Sequence, residues 1–278
     1  AAMVDHMDQA VGNIVKALEK TKQLDDTLII YFHDNGACPE HLGGNGWNTA
    51  NNIIAKAKKA GKTIAVGDKF DVPMGGPMTY GSVGHNWANA QNTPMRRYKM
   101  NVHNGGACTP AIVHWPAGLK TKPGSISKQR GHVVDLMATF VDIADAPYPR
   151  EWKGEKVIPL QGVSFLPLVS GAEKIDRPEP IFWQWSRGRA IRDGQWKAVS
   201  HGDTWELYDI NDDRTELNNL ADNLKYKGKL AELRAELKAW TTAQGDELLP
   251  HRDPYLTSAP IPEIKRKPKK KKPKPKSK

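Results

Sequence analysis

Residues 27–32, TLIIYF, form an unbroken apolar and β-branched run that stops at His33-Asp34-Asn35-Gly36. So short and uniform a run predicts a strand covered on both faces. Ahead of it, Val4, Met7, Val11, Ile14, Val15 and Leu18 recur in steps of three and four, which predicts an amphipathic helix. Helix, polar break at 23–26 and buried strand together predict one unit of a parallel α/β sheet. The helix is under way within a few residues of Ala1, so the chain is expected to open inside a fold, as the C-terminal piece of a longer protein.

Residues 36–94 turn polar and irregular, with one short helix expected at 51–60. A loop of that length is functional or an insertion. Regular structure returns with a buried strand at 111–115 and a helix at 132–144, whose Val133, Leu136, Phe140 and Ile143 share a face. From Pro180 the pattern becomes strand, turn, strand: residues 189–192, a turn at Asp193-Gly194, residues 195–199, a turn at Gly202-Asp203 and residues 205–210. A last helix carries Leu230, Leu233, Leu237 and Trp240. Three regions are expected: an α/β body at 1–179, a small antiparallel-sheet and helix subdomain at 180–250, and a linker with a disordered tail at 251–278.

The formal net charge of +10 is confined to one place. Residues 265–278 hold ten Lys or Arg and no acid; without them 31 bases face 31 acids. The body is therefore neutral and presents no general basic face for nucleic acid. The tail alone would attract an anionic polymer, or would simply keep the chain soluble. No apolar run approaches the roughly 20 residues of a membrane span. Two cysteines, Cys38 and Cys108, exclude a disulfide scaffold and leave open whether they pair.

Asp34-Asn35-Gly36 is first of all a turn. Placed directly after a buried strand, it also offers oxygen donors suited to Ca²⁺ or Mg²⁺. The second segment runs Lys99-Met100-Asn101-Val102-His103-Asn104-Gly105-Gly106 into the strand at Ala111. Paired glycines allow a close backbone approach. Lys99 is either a solvated surface lysine or a point charge for an oxyanion. His103 is either a structural loop histidine or a proton carrier. Trp47, Tyr80, His85 and Trp87 in the long loop are candidates for stacking on a sugar or aryl ring, or for packing the loop down.

The order TLIIYFHDNGA, NTPMRRYKMNVHNGGACTPAIVHWPAGL, GHVVDLMATFVDIADA, GVSFLPLVSG, WELYDINDDRTELNNLA resembles the C-terminal half of a type I sulfatase, over nearly all of residues 1–250. The resemblance implies an alkaline-phosphatase-like α/β fold, partial here, followed by the small α+β subdomain. It implies that Asp34 and Asn35 are Ca²⁺ ligands, that Lys99 contacts the sulfate group and that His103 acts in catalysis. It departs from the family at Asn104, where the pattern usually reads His-Glu-Gly-Gly, at His33, where serine is common, and at Asp145, often glycine.

Such enzymes use a formylglycine made from a Cys/Ser-x-Pro-x-Arg motif. Cys108-Thr109-Pro110-Ala111-Ile112 ends in isoleucine and lies in the wrong segment, Cys38-Pro39 also fails, and the family's N-terminal Asp-Asp pair is absent. The resemblance therefore implies a periplasmic or secreted enzyme that hydrolyses a sulfated small molecule or polysaccharide, with its nucleophile outside these residues and this chain inactive alone. A phosphatase or phosphonate monoester hydrolase of the same superfamily, and a non-catalytic anionic-glycan binder working through the tail, are the alternatives.

Overall fold

A computed structural model describes residues 2–40, 48–66, 75–177, 180–185 and 188–245. Trp47 and the linker and tail at 251–278 lie outside the described residues. In chain order the elements are α1 (Ala2–Lys20), β1 (Ile29–Phe32), α2 (Asn48–Lys59), β2 (Ala65–Val66), β3 (Thr79–Tyr80), α3 (Gly84–Gln91), α4 (Asn104–Ala107), β4 (Ala111–His114) and α5 (Val134–Ile143). Then follow β5 (Glu151–Trp152), β6 (Glu155–Lys156), α6 (Leu166–Val169), β7 (Ile181–Trp185), β8 (Gly188–Asp193), β9 (Trp196–His201), β10 (Thr204–Asp209) and α7 (Lys227–Ala243). Among the described residues no helix is long and apolar enough to cross a membrane.

The expected parallel unit is not what forms around β1. It pairs antiparallel with β4, Phe32 opposite Ala111 and Ile29 opposite His114. The reason is local. The long excursion after β1 returns through the Gly105-Gly106 turn, whose carbonyl accepts from Gly36 N at 2.9 Å. That contact ties the entry of β4 to the exit of β1, and antiparallel pairing is the geometry that permits it. Nor are the strands covered on both faces: β1 is half-buried, and Ile112 and Val113 of β4 are 63% and 43% exposed.

Helix α5 also turns differently from its apolar pattern. Its buried positions are Asp135, Ala138 and Thr139, while Val133 and Phe140 are exposed. Hydrogen bonds explain the rotation. Asp135 accepts from Val163 N at 2.9 Å and His132 N at 2.6 Å and pairs with Arg177; Thr139 Oγ1 accepts from Phe165 N at 2.9 Å. The segment at 162–165 thus docks on the polar side of α5.

The second half follows the sequence pattern closely. Strands β7 to β10 form one antiparallel sheet in the order β10-β9-β8-β7. The second turn is Gly202-Asp203 as expected; the first is shifted by one residue, since Asp193 pairs with Trp196 and leaves Gly194-Gln195 as the loop. Alternation divides the core between two faces. Ile191, Ala198 and Leu207 face Leu233 and Leu237 of α7, with Phe182 stacked on Trp240 at 4.8 Å. Ala190, Val199 and Tyr208 face Val102, on the segment that leads into the Gly-Gly turn. The sheet therefore serves as a floor for that segment.

A buried ion pair joins the two. Lys197 Nζ lies 2.7 Å from Glu216 Oε1, both side chains fully buried. Nζ also donates to Asn104 Oδ1 at 2.8 Å, and Glu216 Oε2 accepts from Asn104 N at 2.7 Å. Removing one partner strands a buried charge, which costs about 3–5 kcal/mol. Lys197→Met is expected to lose roughly that much in urea unfolding, against at most about 1 kcal/mol for Lys229→Ala, whose partner Glu232 is exposed. Similar losses for both would mean that the pair does not hold the sheet to the turn.

Candidate functional site

The site grows from three loops gathered at one end of the β1–β4 ladder. Gly36, Gly105 and Gly106 make this approach possible. A Cβ on Gly36 would overlap the Gly105 carbonyl oxygen, one on Gly105 the carbonyls of Arg96 and Arg97, and one on Gly106 those of Tyr98 and Asn101. The expectation that the paired glycines permit a close approach is met, and what approaches is backbone.

Asn92, directly after α3, ties all three loops. Its Oδ1 accepts from Ala37 N at 3.1 Å, and its Nδ2 donates to Arg97 O at 2.9 Å and Gly105 O at 2.7 Å. Lys99 N donates to Ala37 O at 3.1 Å. The Lys99 and Asp34-Asn35 loops are thereby fixed side by side.

Asn35 and Lys99 line one cavity of about 200 Å³, with Met100, Asn101, Val102, Gly106, Ala107 and the β7 residues Trp183, Gln184 and Trp185. Asn35 Nδ2 donates to Asp34 Oδ1, so the two side chains lie against each other. Lys99 Nζ donates to Glu40 Oε1 at 2.9 Å; Glu40 is buried, while the lysine side chain is 37% exposed. A larger depression of about 310 Å³ beside α7 is lined by Leu224, Leu230, Ala231, Lys227 and Arg234 among others, and holds none of these residues.

His103 is not in the cavity wall. It is buried, and its Nε2 lies 2.5 Å from Glu206 Oε2 on β10. The same oxygen accepts from Arg96 at 2.9 Å and Tyr208 at 2.8 Å. Burial alone would push the Glu206 carboxyl up, but the His103 bond and charge, the Tyr208 bond and the Arg96 charge outweigh it and hold it down to about 2. Burial and the adjacent Glu206 push the Tyr208 hydroxyl upward.

The other expectations divide. His33 turns back onto Tyr31, with ring centroids 5.4 Å apart. Cys38 and Cys108 are free and exposed. His85 stacks on Tyr98 at 5.3 Å, a packing role, whereas Trp87 is 66% exposed. The aromatic residues that do line the cavity, Trp183 and Trp185, come from the other half of the chain. Their alternation in IFWQW already puts both on one face of a strand. Glu40 and Asn92 carry no such signal.

As a metal ligand set, Asp34 and Asn35 are hard oxygen donors of the kind Ca²⁺ takes. They fit as part of a cage. They do not complete one, since Ca²⁺ wants about 6–8 oxygens, and among the described residues no group of three or more His, Cys, Asp or Glu converges.

The cavity brings Lys99 to Asn35 at the end of β1, while Asp34, exposed, lies against Asn35 outside the cavity lining. The family described as Sulfatase matches residues 1–146, and that described as N-sulphoglucosamine sulphohydrolase, C-terminal, matches residues 97–243. The chain belongs to the sulfatase family, whose chemistry is sulfuric ester hydrolysis. It is 29% identical over 231 residues to an uncharacterised sulfatase of Schizosaccharomyces pombe, covering 80% of this chain and 39% of that one. It is 27% identical to the choline-sulfatase of Rhizobium meliloti, covering 80% and 32%. The chain thus spans less than half the length of these relatives. Among solved structures, Ps i-CgsB superposes with a TM-score of 0.60 at 24% identity, over 86% of this chain and 42% of that one. A structure in complex with its substrate D-glucosamine-2-N,6-O-disulfate superposes with a TM-score of 0.55 at 20% identity, over 91% and 40%.

Two outcomes follow from this geometry. Asn92→Ala removes three hydrogen bonds at once and, at about 1 kcal/mol each, is expected to destabilise the chain by roughly 3 kcal/mol. Amide exchange at Ala37 should accelerate; unchanged exchange there would show that Asn92 does not tie the loops. Glu206 has its folded pKa depressed from 4.5 to about 2, so its stabilisation is complete above pH 4.5 and is lost as pH falls toward 2. Urea midpoints measured across that window should fall, and Glu206→Gln should flatten the fall.

Proposed function

We propose that this chain is the C-terminal portion of a sulfatase whose full-length form hydrolyses sulfated saccharides, with the sulfate group lodged between Lys99 and the Asp34-Asn35 pair. The observation that carries this reading is the single cavity wall shared by Asn35 and Lys99, residues far apart in sequence. Family membership supports the reaction class. One structural neighbour, solved in complex with its substrate D-glucosamine-2-N,6-O-disulfate, supports the substrate class.

In this reading the Lys99 ammonium is a point charge on a sulfate oxygen, where negative charge is shared as the S–O bond breaks. Glu40 holds Nζ in place through its 2.9 Å bond. Asp34 and Asn35 supply two oxygen ligands to a divalent cation, which when bound withdraws charge from the sulfate. No Cys/Ser-x-Pro-x-Arg motif occurs in residues 1–278, so the formylglycine nucleophile belongs to a segment outside them. His103, bonded to Glu206, enters as a positioning residue that locks the turn carrying Lys99 to β10. A periplasmic or secreted location accords with this substrate class.

The test is sulfate release from 4-nitrophenyl sulfate by this chain alone and by a longer protein that restores the upstream half. The chain alone should give none. In the restored enzyme Lys99→Ala should lower kcat/KM by about 10²–10³, the scale for losing one preorganised contact. Turnover by the bare chain, or equal rates for the restored enzyme and its variant, would overturn the reading.

A further inference from the structure

The cavity has a second wall that the sulfate chemistry does not use. Trp183 and Trp185 sit two residues apart on β7, hence on one face of the strand. Trp183 is held firmly. It packs against the Val102, Ala190, Val199 and Tyr208 cluster, Lys197 Nζ lies 5.3 Å over its ring, and His132 meets it edge-on at 6.1 Å. Trp185 stands at the rim and is 55% exposed.

The polar groups around these rings are amides. Asn35 and Asn101 share the cavity with the two indoles, while Gln184, between them on β7, turns its side chain to the opposite face of the strand. An amide both donates and accepts, as a hydroxyl does, while an indole face covers apolar C–H surface. A ring that is apolar on its faces and hydroxylated around its edge matches both features; a plain aryl ring matches only the indoles. The volume, about 200 Å³, is below the ~300 Å³ at which drug-sized sites begin. It suits one six-membered ring.

The wall is also set at a fixed distance from the charge. At the β8 end of the hairpin, a Cβ on Gly188 would meet the Val102 methyls at 3.5 and 3.6 Å, so the strand runs close beside Val102, three residues from Lys99 in sequence. The Lys197, Glu216 and Asn104 bonds hold the same turn to β9.

We propose that Trp185, steadied by Trp183, is the specificity-determining platform on which the pyranose ring of a sulfated saccharide stacks while its sulfate reaches Lys99. The proposal rests on the sulfatase reading for the direction in which the substrate lies. Its consequence is that ring recognition and sulfate recognition are separable, the first in β7 and the second at Lys99.

The test uses the full 278-residue chain and ligand-observed NMR titrations with methyl glucopyranoside 6-sulfate, methyl sulfate and inorganic sulfate. Trp185→Ala is expected to weaken the sugar sulfate by about three- to tenfold, the range of a lost aromatic contact, with Trp185→Phe recovering most of it. Affinity for methyl sulfate and inorganic sulfate should stay as in the parent chain, whereas Lys99→Ala should weaken all three. Circular dichroism of each variant separates folding loss from ligand loss. Equal affinity of Trp185→Ala and parent for the sugar sulfate would overturn the proposal, as would an equal loss for inorganic sulfate. These readouts require no turnover, so failure to hydrolyse an ester would count against the sulfatase reading and leave this one standing.

Discussion

The arrangement of the site depends on one buried charge pair. Lys197 on β9 and Glu216 after β10 are both fully buried, and both bond Asn104, the first residue of the Gly-Gly turn. A buried pair of this kind adds little net stability, since two well-packed apolar residues would often do as well. What it adds is position. Apolar contacts between the sheet and Val102 tolerate sliding; a lysine, a carboxylate and an amide within 2.7–2.8 Å of one another do not. The turn is therefore fixed on the sheet, and the residues on either side of it are fixed with it. Lys99 lies before the turn and β4 after it.

From that fixed turn the glycines pass the constraint on. Gly36 N bonds Gly106 O at 2.9 Å, and neither partner has a side chain to hold the backbones apart. Asp34 and Asn35 are thus placed by a contact made one residue away. The antiparallel pairing of β1 with β4 belongs to the same constraint. Had the strands run parallel, the start of β4 would lie beside the start of β1, a strand length from Asp34.

Legibility in the sequence followed the range of each interaction. The β8–β9–β10 hairpins and α7 were readable because alternation, Gly turns and leucine spacing are local signals, and only one turn moved, by a single residue. The helix expected at 51–60 forms as α2, while α3 and the two-residue strands β2 and β3 are too short to show a period. The proposal of Asp34, Asn35 and Lys99 as site residues rests on an ordered set of segments rather than on any one motif. Partners that depend on distant packing left no trace: Glu40 for Lys99, Glu206 for His103, Asn92 for three loops. The buried face of α5 departs from its apolar pattern for the same reason. A hydrophobic pattern predicts which side is apolar, whereas Asp135 is drawn inward by Arg177 and the 162–165 backbone, which no pattern within the helix reveals.

The departure at Asn104 has a physical basis in these contacts. Sulfatases usually carry glutamate in this His-x-Gly-Gly position. Here the residue must do three things in a buried space: accept from Lys197, accept weakly from Cys108 Sγ at 3.4 Å, and donate to Arg214 O at 2.9 Å. A carboxylate accepts but does not donate, and would leave the Arg214 carbonyl facing a like partial charge. It would also put two carboxylates against one lysine, since Glu216 already neutralises Lys197. A neutral amide satisfies the carbonyl and keeps the buried charges at one of each sign. The substitution thus suits the Lys197–Glu216 pair itself, and it leaves the neighbouring glycines free to bring Lys99 and Asn35 to one cavity.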